Sequence, residues 1–207
     1  MGGGVPKQFL PIKGKPVLFH TIEKFHGLAD EIVLVLPESH IPFWKDLCFE
    51  HSFNVNLHLI AGGNSRTESV LNGLNAVVSP AIVAIHDAVR PLISRNLIQK
   101  LFDHAAKHGN AVPFIPARES MRMKSGEGSK VVDRDDFMII QTPQCFDYQI
   151  LMKAYQKGSD RSFSDDAAVL DHSGIKIHLV EGETTNIKIT FREDIVFAEA
   201  LLDTTEM

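Results

Sequence analysis

A series of short apolar runs, separated by segments of helix length, constrains the fold of this chain more than any other feature. Residues 31–36 read EIVLVL and residues 81–85 read AIVAI. Short, continuous runs of β-branched residues and leucine are typical of parallel strands buried on both faces. Strands that alternate with amphipathic helices form βαβ units. The sequence therefore predicts an α/β domain with a doubly wound, mostly parallel sheet and helices on both faces.

Capping residues help to set the limits of the other predicted elements. Ser94 and Asp147 are typical N-caps, and Ser164 is the predicted cap of a short helix with Asp165 and Asp166 in its first turn. The predicted strands are residues 31–36, 56–60, 81–85, 111–115, 137–141, 175–180 and 187–190. The predicted helices are residues 42–51, 65–78, 94–107, 147–157, a helix from 164, and 192–202.

The length of the chain predicts a single domain. Its 207 residues, 44% of them hydrophobic, are enough for one sizeable core. Residues 118–136 form a polar stretch too hydrophilic to belong to that core. An excursion of this length in a compact domain is usually functional or an interaction arm. We expect one domain over residues 1–207 with a protruding β-arm at 117–140.

Composition argues against several classes of function. The formal net charge is −5 and no basic run occurs, which argues against a nucleic-acid binder. Cys48 and Cys145 are too few and too far apart for a disulfide framework or a cysteine metal site. No apolar run approaches the ~20 residues of a membrane-spanning helix, and the first residues lack the pattern of a signal peptide. We expect a cytoplasmic protein with neither a membrane nor a nucleic acid as partner.

The first polar motif lies near the start, where Gly2 and Gly3 precede Lys7. Consecutive glycines leave backbone N–H groups free to cradle a phosphate, and the lysine adds a positive charge beside them. The alternative is a flexible tail, and the motif alone does not decide between the two.

A second glycine-rich motif follows the strand predicted at residues 56–60. Gly63, Asn64, Arg66 and Ser69 lie on the turn and at the start of the next helix. Glycines permit a tight turn, and a helix N-terminus presents unpaired N–H groups to an anion. The alternative is a strand-to-helix loop whose serine serves only as an N-cap.

The sequence HDAVRP follows AIVAI directly, which puts Asp87 at the carboxyl end of a strand, where ligands bind in open α/β sheets. A carboxylate there can hold Mg²⁺, which pairs with triphosphate oxygens. Arg90 can donate two N–H groups to a phosphate. The alternative is a salt bridge between Asp87 and Arg90 that only stabilises the turn.

Three further polar residues suit an anionic substrate. Arg134 lies in the polar insert and Thr142 in the sequence QTPQ, and a cation and a hydroxyl suit a sugar phosphate. Lys188 lies between two isoleucines, which is unusual unless its amine faces a pocket. The alternatives are a solvated arginine and a lysine that protects a strand edge.

Together these motifs resemble the 2-C-methyl-D-erythritol 4-phosphate cytidylyltransferase family of the non-mevalonate isoprenoid pathway. They occur in order through nearly all of the chain: PKQFL, GGNSRTESVLNGL, HDAVRP, VVDR followed by QTPQ, SDDAAVL, and VEGETTNIKIT followed by REDI. The resemblance implies a nucleotide-diphospho-sugar transferase-like fold and a homodimer formed through the β-arm. It also implies transfer of the CMP part of CTP to a polyol phosphate, with Mg²⁺ or another divalent cation and release of pyrophosphate.

The resemblance also implies roles for individual residues. Lys7 and Lys188 would neutralise charge on the phosphates in the transition state, with Arg134 as a third catalytic residue. Asp87 would lie beside the metal ion, and part of the acceptor site would come from the partner subunit. The implied substrate-binding residues are Gly2, Gly3, Gly63, Asn64, Arg66, Ser69, Arg90, Ser120, Thr142 and Ser164. Among these, Gly63, Asn64 and Ser69 would lie on the cytidine side.

The chemistry of the motifs agrees with this resemblance. An acceptor phosphate is already an anion, so the reaction needs alignment and charge neutralisation rather than a strong general base. Lysines, arginines and a metal ion meet that need.

Two alternatives stay open. Ribitol 5-phosphate cytidylyltransferases share the implied fold and cytidine site, and Arg134, Thr142 and Lys188 do not decide the polyol. In addition, the first strand of the family and the arginine of its glycine-rich loop are not found upstream of Lys7. We therefore expect two exposed strand edges and weaker CTP binding, and a truncated, non-catalytic nucleotide-binding protein is the second alternative.

Overall fold

The computed structural model describes residues 5–78, 82–158 and 163–205. The α-helices in these ranges are α1 (Val17–Phe25), α2 (Ile41–Glu50), α3 (Arg66–Asn75), α4 (Arg95–His108), α5 (Tyr148–Lys157), α6 (Asp166–His172) and α7 (Glu193–Thr205). The strands are β1 (Pro11–Ile12), β2 (Lys15–Pro16), β3 (Val33–Leu36), β4 (His58–Ala61), β5 (Ile82–Ile85), β6 (Asn110–Pro116), β7 (Met121–Ser125), β8 (Gly128–Val132), β9 (Met138–Ile140), β10 (Gln144–Asp147) and β11 (Leu179–Glu181).

The strands confirm the α/β class, with a sheet that is mixed rather than mostly parallel. Its larger part has the order β11-β6-β10-β5, and β9 also pairs with β6. β11 is parallel to β6, whereas β9 is antiparallel to β6 and β10 is antiparallel to both β6 and β5. β3 and β4 form a separate parallel pair. β10, which the sequence did not predict, makes the middle of the sheet antiparallel.

Helices cover both faces of the sheet, as the sequence predicted. Ile82 and Ala84 of β5 pack with α1 and α4, whereas Val83 and Ile85 pack with α3, α5 and α6. Because successive strand residues point to opposite faces, these contacts place the two groups of helices on opposite sides. Within the described ranges, no helix combines the length and apolar character needed to cross a membrane.

Three of the six predicted helix starts are confirmed by their caps. The side chains of Ser65, Ser94 and Asp147 each accept a hydrogen bond from the backbone N–H three residues later. Ser164 is not a cap, so that prediction was wrong. Asp165 caps α6 instead, because its carboxylate accepts the Ala168 N–H.

The strand predicted at residues 187–190 was also wrong. This segment belongs to no strand, and the Ile189 N–H donates to the Val89 carbonyl. The contact holds the segment beside the loop that follows β5. Lys188 is thereby placed next to the HDAVRP turn without being part of the sheet.

The polar insert contains an antiparallel hairpin. β7 and β8 pair in antiparallel register from Met121 opposite Val132 to Ser125 opposite Gly128. Nearly all of its side chains are exposed, including Met123 and Val131. A hairpin with so little packing against the domain has the form of an arm, and its role in dimerisation stays a prediction.

An apolar slot separates the two parts of the sheet. Among the described residues, β3 hydrogen-bonds to β4 alone and β5 to β10 alone, so two strand edges lack partners. A cavity of about 810 Å³ is lined by β3, β5, α1 and α3. That volume far exceeds the voids of a close-packed interior. Within the described part of the chain, these two strand edges therefore face a cavity instead of a neighbouring strand.

Filling the slot will stabilise the fold. Ala84 lines the cavity, whereas Ala105 is fully buried in the same hydrophobic cluster. Ala84→Leu will raise stability by about 1 kcal/mol, because added methylenes enter empty space. Ala105→Leu will lower it by ~1–3 kcal/mol, because no space is available there. Thermal unfolding of both variants measures the difference, and a lower melting temperature for Ala84→Leu would show that the slot is already filled.

Candidate active site

Residues from three loop segments meet at the mouth of the slot. β4 leads into Gly62 and Gly63, β5 leads into Asp87, and Thr142 lies just before β10; all of these residues line the cavity. The Gly62 N–H also donates to the Leu36 carbonyl at the end of β3. The candidate site thus lies at the carboxyl ends of β3, β4 and β5, where α/β sheets bind ligands.

A carboxylate shared by two cations forms the centre of this site. Asp87 Oδ2 lies 3.1 Å from Arg90 Nε and 3.1 Å from Lys188 Nζ. Burial alone would raise the pKa of Asp87, but Lys188 and then Arg90 outweigh it and hold the pKa below its usual range. The salt bridge considered as an alternative is therefore present. Lys188 adds a second cation, whose side chain is 45% exposed and open to an anionic ligand.

Buried hydrogen bonds fix the Arg90 guanidinium. Arg90 Nη1 donates to the carbonyl of Asn186 at 2.7 Å, and Asn186 Nδ2 donates to the carbonyl of Thr142 at 3.0 Å. Arg90, Asn186 and Thr142 are all buried. The loop before Lys188 is therefore tied to both the HDAVRP turn and the start of β10.

His86 braces the same turn as a neutral imidazole. Its Nε2 lies 3.2 Å from the Arg90 carbonyl, which can only accept, so Nε2 carries the proton. Nδ1 then accepts from the Thr142 hydroxyl at 3.1 Å, and that hydroxyl accepts the Asp87 N–H at 3.0 Å. Burial lowers the pKa of His86 to about 4. Sequence reasoning missed this role of His86. Through these contacts the Thr142 hydroxyl braces Asp87.

The glycine-rich loop is held in shape by the first turn of α3. The Gly63 N–H donates to Ser69 Oγ at 3.0 Å, and Ser69 Oγ donates to the Ser65 carbonyl at 2.8 Å. The Asn64 N–H donates to Glu68 Oε2 at 2.8 Å. A Cβ at Gly63 would lie 2.2 Å from Glu68 Cγ, so only glycine fits that close approach. Ser69 therefore shapes the loop, and its place on the cytidine side stays a prediction.

Arg66 enters the site from the start of α3 and forms a two-nitrogen ion pair with Asp166 of α6. Burial would lower the pKa of Arg66, but the hydrogen bond and charge of Asp166 outweigh it and raise the pKa. The sequence assigned Asp166 only to a first helical turn. Nothing in a linear sequence connects two residues 100 positions apart, so this pair was missed.

Among the described residues, Lys7, Arg134, Ser120 and Ser164 make no hydrogen bond or ion pair with the Asp87 cluster. Lys7 begins a one-turn 3₁₀-helix and makes no ion pair with any described residue. Arg134 lies on the arm, where its Nη1 donates to the Arg118 carbonyl at 2.7 Å. Ser120 is exposed beside β7, and Ser164 is exposed just before α6. Gly2 and Gly3 lie outside the described residues.

A divalent cation fits this site only if the substrate supplies most of its ligands. In the described part of the chain, no group of three histidine, cysteine or acidic side chains could hold a metal ion. Among the described residues, the hydrogen bonds and ion pairs of the Asp87 carboxylate use Oδ2, which leaves Oδ1 as a hard oxygen ligand. Mg²⁺ commonly binds proteins through one or two carboxylates plus substrate phosphates. Asp87 thus fits an ion carried by a nucleotide.

A glycine-rich loop and a cation–carboxylate cluster at the carboxyl ends of an α/β sheet are the arrangement of a nucleotidyltransferase. A family model described as 2-C-methyl-D-erythritol 4-phosphate cytidylyltransferase matches residues 1–204. The chain belongs to that family of enzymes.

Individual relatives agree with the family match. The enzyme of that name from Bacteroides fragilis is 45% identical over 205 residues, which cover 98% of this chain and 93% of the relative. The crystal structure of the Thermus thermophilus enzyme of that name matches with a TM-score of 0.84 and 34% identity, over 97% of this chain and 95% of that chain. The crystal structure of the 4-diphosphocytidyl-2C-methyl-D-erythritol synthase of Anaerococcus prevotii matches with a TM-score of 0.85 and 28% identity, over 98% of this chain and 92% of that chain.

Proposed function

We propose that this enzyme transfers the CMP part of CTP to the phosphate of 2-C-methyl-D-erythritol 4-phosphate, releasing pyrophosphate, in isoprenoid precursor biosynthesis. The observation that carries the proposal is the cluster of Asp87, Arg90 and Lys188 beside the loop at Gly62–Gly63. The names of the relatives, at up to 45% identity, support the same reaction.

The reaction requires two anions to meet. An oxygen of the acceptor phosphate attacks the α-phosphorus of CTP, and the bond from that phosphorus to the bridging oxygen of pyrophosphate breaks. The acceptor oxygen is already ionised, so no proton has to be removed. The Lys188 ammonium and the Arg90 guanidinium are both held by ion pairs with Asp87. These two cations are therefore oriented before negative charge develops on the phosphates in the transition state.

Mg²⁺ is part of this proposal as the ion that accompanies CTP. Asp87 would hold it, and the ion would supply Lewis-acid stabilisation of the phosphate oxygens. Because Lys188 and Arg90 keep the pKa of Asp87 low, the carboxylate is ionised at neutral pH and ready to act as a ligand.

Pyrophosphate release tests the proposed function. The enzyme is assayed with CTP and Mg²⁺ and with either 2-C-methyl-D-erythritol 4-phosphate or ribitol 5-phosphate as acceptor. Release with the methylerythritol phosphate alone is the expected result. Release with ribitol 5-phosphate alone would replace the proposed acceptor, and release with neither, together with CTP binding, would favour a non-catalytic nucleotide-binding protein.

We further propose a homodimer in the cytoplasm. Apolar side chains are 40–75% exposed on and beside the arm, at Met123, Val131, Phe137, Met138 and Ile139. Exposed apolar surface of this kind commonly marks a protein–protein contact. The free thiols of Cys48 and Cys145 suit a reducing compartment.

Arg134→Ala will raise the KM for the acceptor about tenfold, which corresponds to ~1.4 kcal/mol of binding free energy, and leave CTP binding nearly unchanged. Arg134 is 53% exposed and lies on the arm rather than in the Asp87 cluster, so it would reach an acceptor bound in the partner subunit. Steady-state kinetics with each substrate varied measures the effect. Lys130→Ala, on β8 of the same arm, is the control and should leave both KM values unchanged.

A mixing experiment tests whether Arg134 acts across the dimer. Neither Arg134→Ala nor Lys188→Ala subunits alone contain a complete site. If Arg134 acts in the partner's site, a mixed dimer of the two contains one complete site and regains activity. Unchanged low activity in verified mixed dimers would place Arg134 in the site of its own subunit.

A further inference from the structure

Asp166 is a fully buried carboxylate at the start of α6. Its two oxygens accept hydrogen bonds from Arg66 Nη1 and Nη2, and the Tyr155 hydroxyl donates to Asp166 Oδ1. Burial, followed by the charge of Asp166, raises the pKa of Tyr155, so the phenol stays protonated and acts as a donor. A buried charge needs this degree of pairing. The Tyr155 hydroxyl and the two Arg66 nitrogens therefore fix the position of the Asp166 carboxylate.

The backbone of the same helix end is held by Gln144. Gln144 Oε1 accepts the N–H groups of Asp166 and Ala167 at 3.1 and 2.9 Å, and Gln144 Nε2 donates to Asp165 Oδ2 at 2.8 Å. Gln144 is 1% exposed and lies in β10, two residues after Thr142. The start of α6 is thus bonded both to the start of α3 and to the strand that follows Thr142.

This network connects the two sides of the proposed site. Arg66 follows the glycine-rich loop, lines the mouth of the slot and lies within the electrostatic influence of Asp87. Ser164, implied as an acceptor ligand, lies two residues before Asp166. A bidentate pair between arginine and carboxylate has a fixed geometry, unlike a pair made with lysine. The pair therefore sets the separation between the glycine-rich loop and the segment before α6.

We propose that Asp166 is a positioning residue that acts through Arg66 and holds the nucleotide side and the acceptor side of the site at a fixed separation. This inference rests on the proposed function, because it assumes that both substrates bind at this edge of the sheet. The geometry of the pair, rather than its charge alone, then controls how well the acceptor phosphate is aligned with the bound nucleotide.

Arg66→Lys is the first test, because it keeps the positive charge but cannot form the two-nitrogen pair. The expected result is a decrease of about tenfold in kcat/KM for the acceptor, because small misplacements of reacting groups are costly. The dissociation constant of CTP measured without acceptor should change less than kcat/KM does, because lysine keeps the positive charge beside the glycine-rich loop. A role limited to stability would lower the melting temperature and the active fraction and leave KM unchanged.

A double-mutant cycle tests whether Asp166 acts through Arg66. Asp166→Asn in the wild-type background should lower kcat/KM, and in the Arg66→Ala background it should have no further effect. Asp171→Asn, at an exposed position of α6, is the matched control and should behave as wild type. If Asp166→Asn fails to fold, Arg66→Lys and Tyr155→Phe remain; Tyr155→Phe keeps the ion pair and should lower kcat/KM less than Arg66→Lys.

The outcomes separate this inference from the proposed function. The cycle uses whichever acceptor supports pyrophosphate release, so a different acceptor overturns the proposed substrate and leaves the cycle valid. Wild-type kinetics for Arg66→Lys, or independent effects of the two substitutions, would overturn the positioning role while the enzyme remains active.

Discussion

Lys188→Ala will lower kcat by about 10²–10³-fold, the range measured when one donor to a developing oxyanion is removed. Lys188 Nζ lies 3.1 Å from Asp87 Oδ2, and its side chain is half-exposed at the mouth of the slot. Because it stabilises charge that grows in the transition state, kcat and kcat/KM should fall together. Stability should change by less than ~1 kcal/mol, because a half-exposed ion pair contributes little.

The chain contains a matched control for this substitution. Lys176 lies between two isoleucines, as Lys188 does, and it is exposed. Its backbone carbonyl accepts a hydrogen bond from Asn110, which the substitution does not remove. Lys176→Ala should therefore retain wild-type kinetics. Normal turnover in Lys188→Ala, or an equal loss in Lys176→Ala, would refute the electrostatic role of Lys188.

Helix ends could be predicted from the sequence because caps are local. Ser94 accepts the Leu97 N–H and Asp147 accepts the Ile150 N–H, while Gly109 adopts a φ of 86° at the end of α4. At α6 three successive residues could each serve as the cap, and only the folded chain shows that Asp165 does so. Sequence alone does not rank neighbouring candidates of similar propensity.

Elements without a local signal were missed. α1 begins after Pro16 without a side-chain cap, and β1 and β2 contain two residues each. β10 lies directly after Pro143, and three of its four residues are buried, so it shows no clear alternation between buried and exposed positions. Its position is set by pairing with β5 and β6, which are distant in sequence. Tertiary contacts therefore decide this part of the sheet.

Charged residues of the candidate site could be selected from the sequence where the charge of the side chain suits an anionic substrate or a metal ion. Asp87, Arg90 and Lys188 were selected by charge and position, and the structure brings these three together. The residues that hold Arg90 and Arg66 in place were not predictable. Asn186 and Asp166 contact their arginine partners across 96 and 100 residues, and either residue alone could serve many structural purposes.

Asp87→Asn will lower turnover about 100-fold, equivalent to ~2.7 kcal/mol, and raise the Mg²⁺ concentration needed for half-maximal rate. Asparagine preserves the shape of the side chain but removes the charge that Arg90 and Lys188 share. The site then has more net positive charge, so CTP should bind without metal as tightly as before or more tightly. Calorimetric titration of CTP with and without Mg²⁺, together with the rate assay, measures both effects.

The direction in which CTP binding changes in the absence of Mg²⁺ distinguishes Lys188→Ala from Asp87→Asn. Lys188→Ala removes a cation and should weaken CTP binding in the absence of Mg²⁺, whereas Asp87→Asn removes an anion and should not. Asp46→Asn, exposed on α2, should change neither turnover nor binding. Weaker metal-free binding in Asp87→Asn would mean that Asp87 contacts the nucleotide directly rather than through a cation. Because the two side chains touch, their opposite effects on CTP would have to come from charge and not from a shared loss of structure.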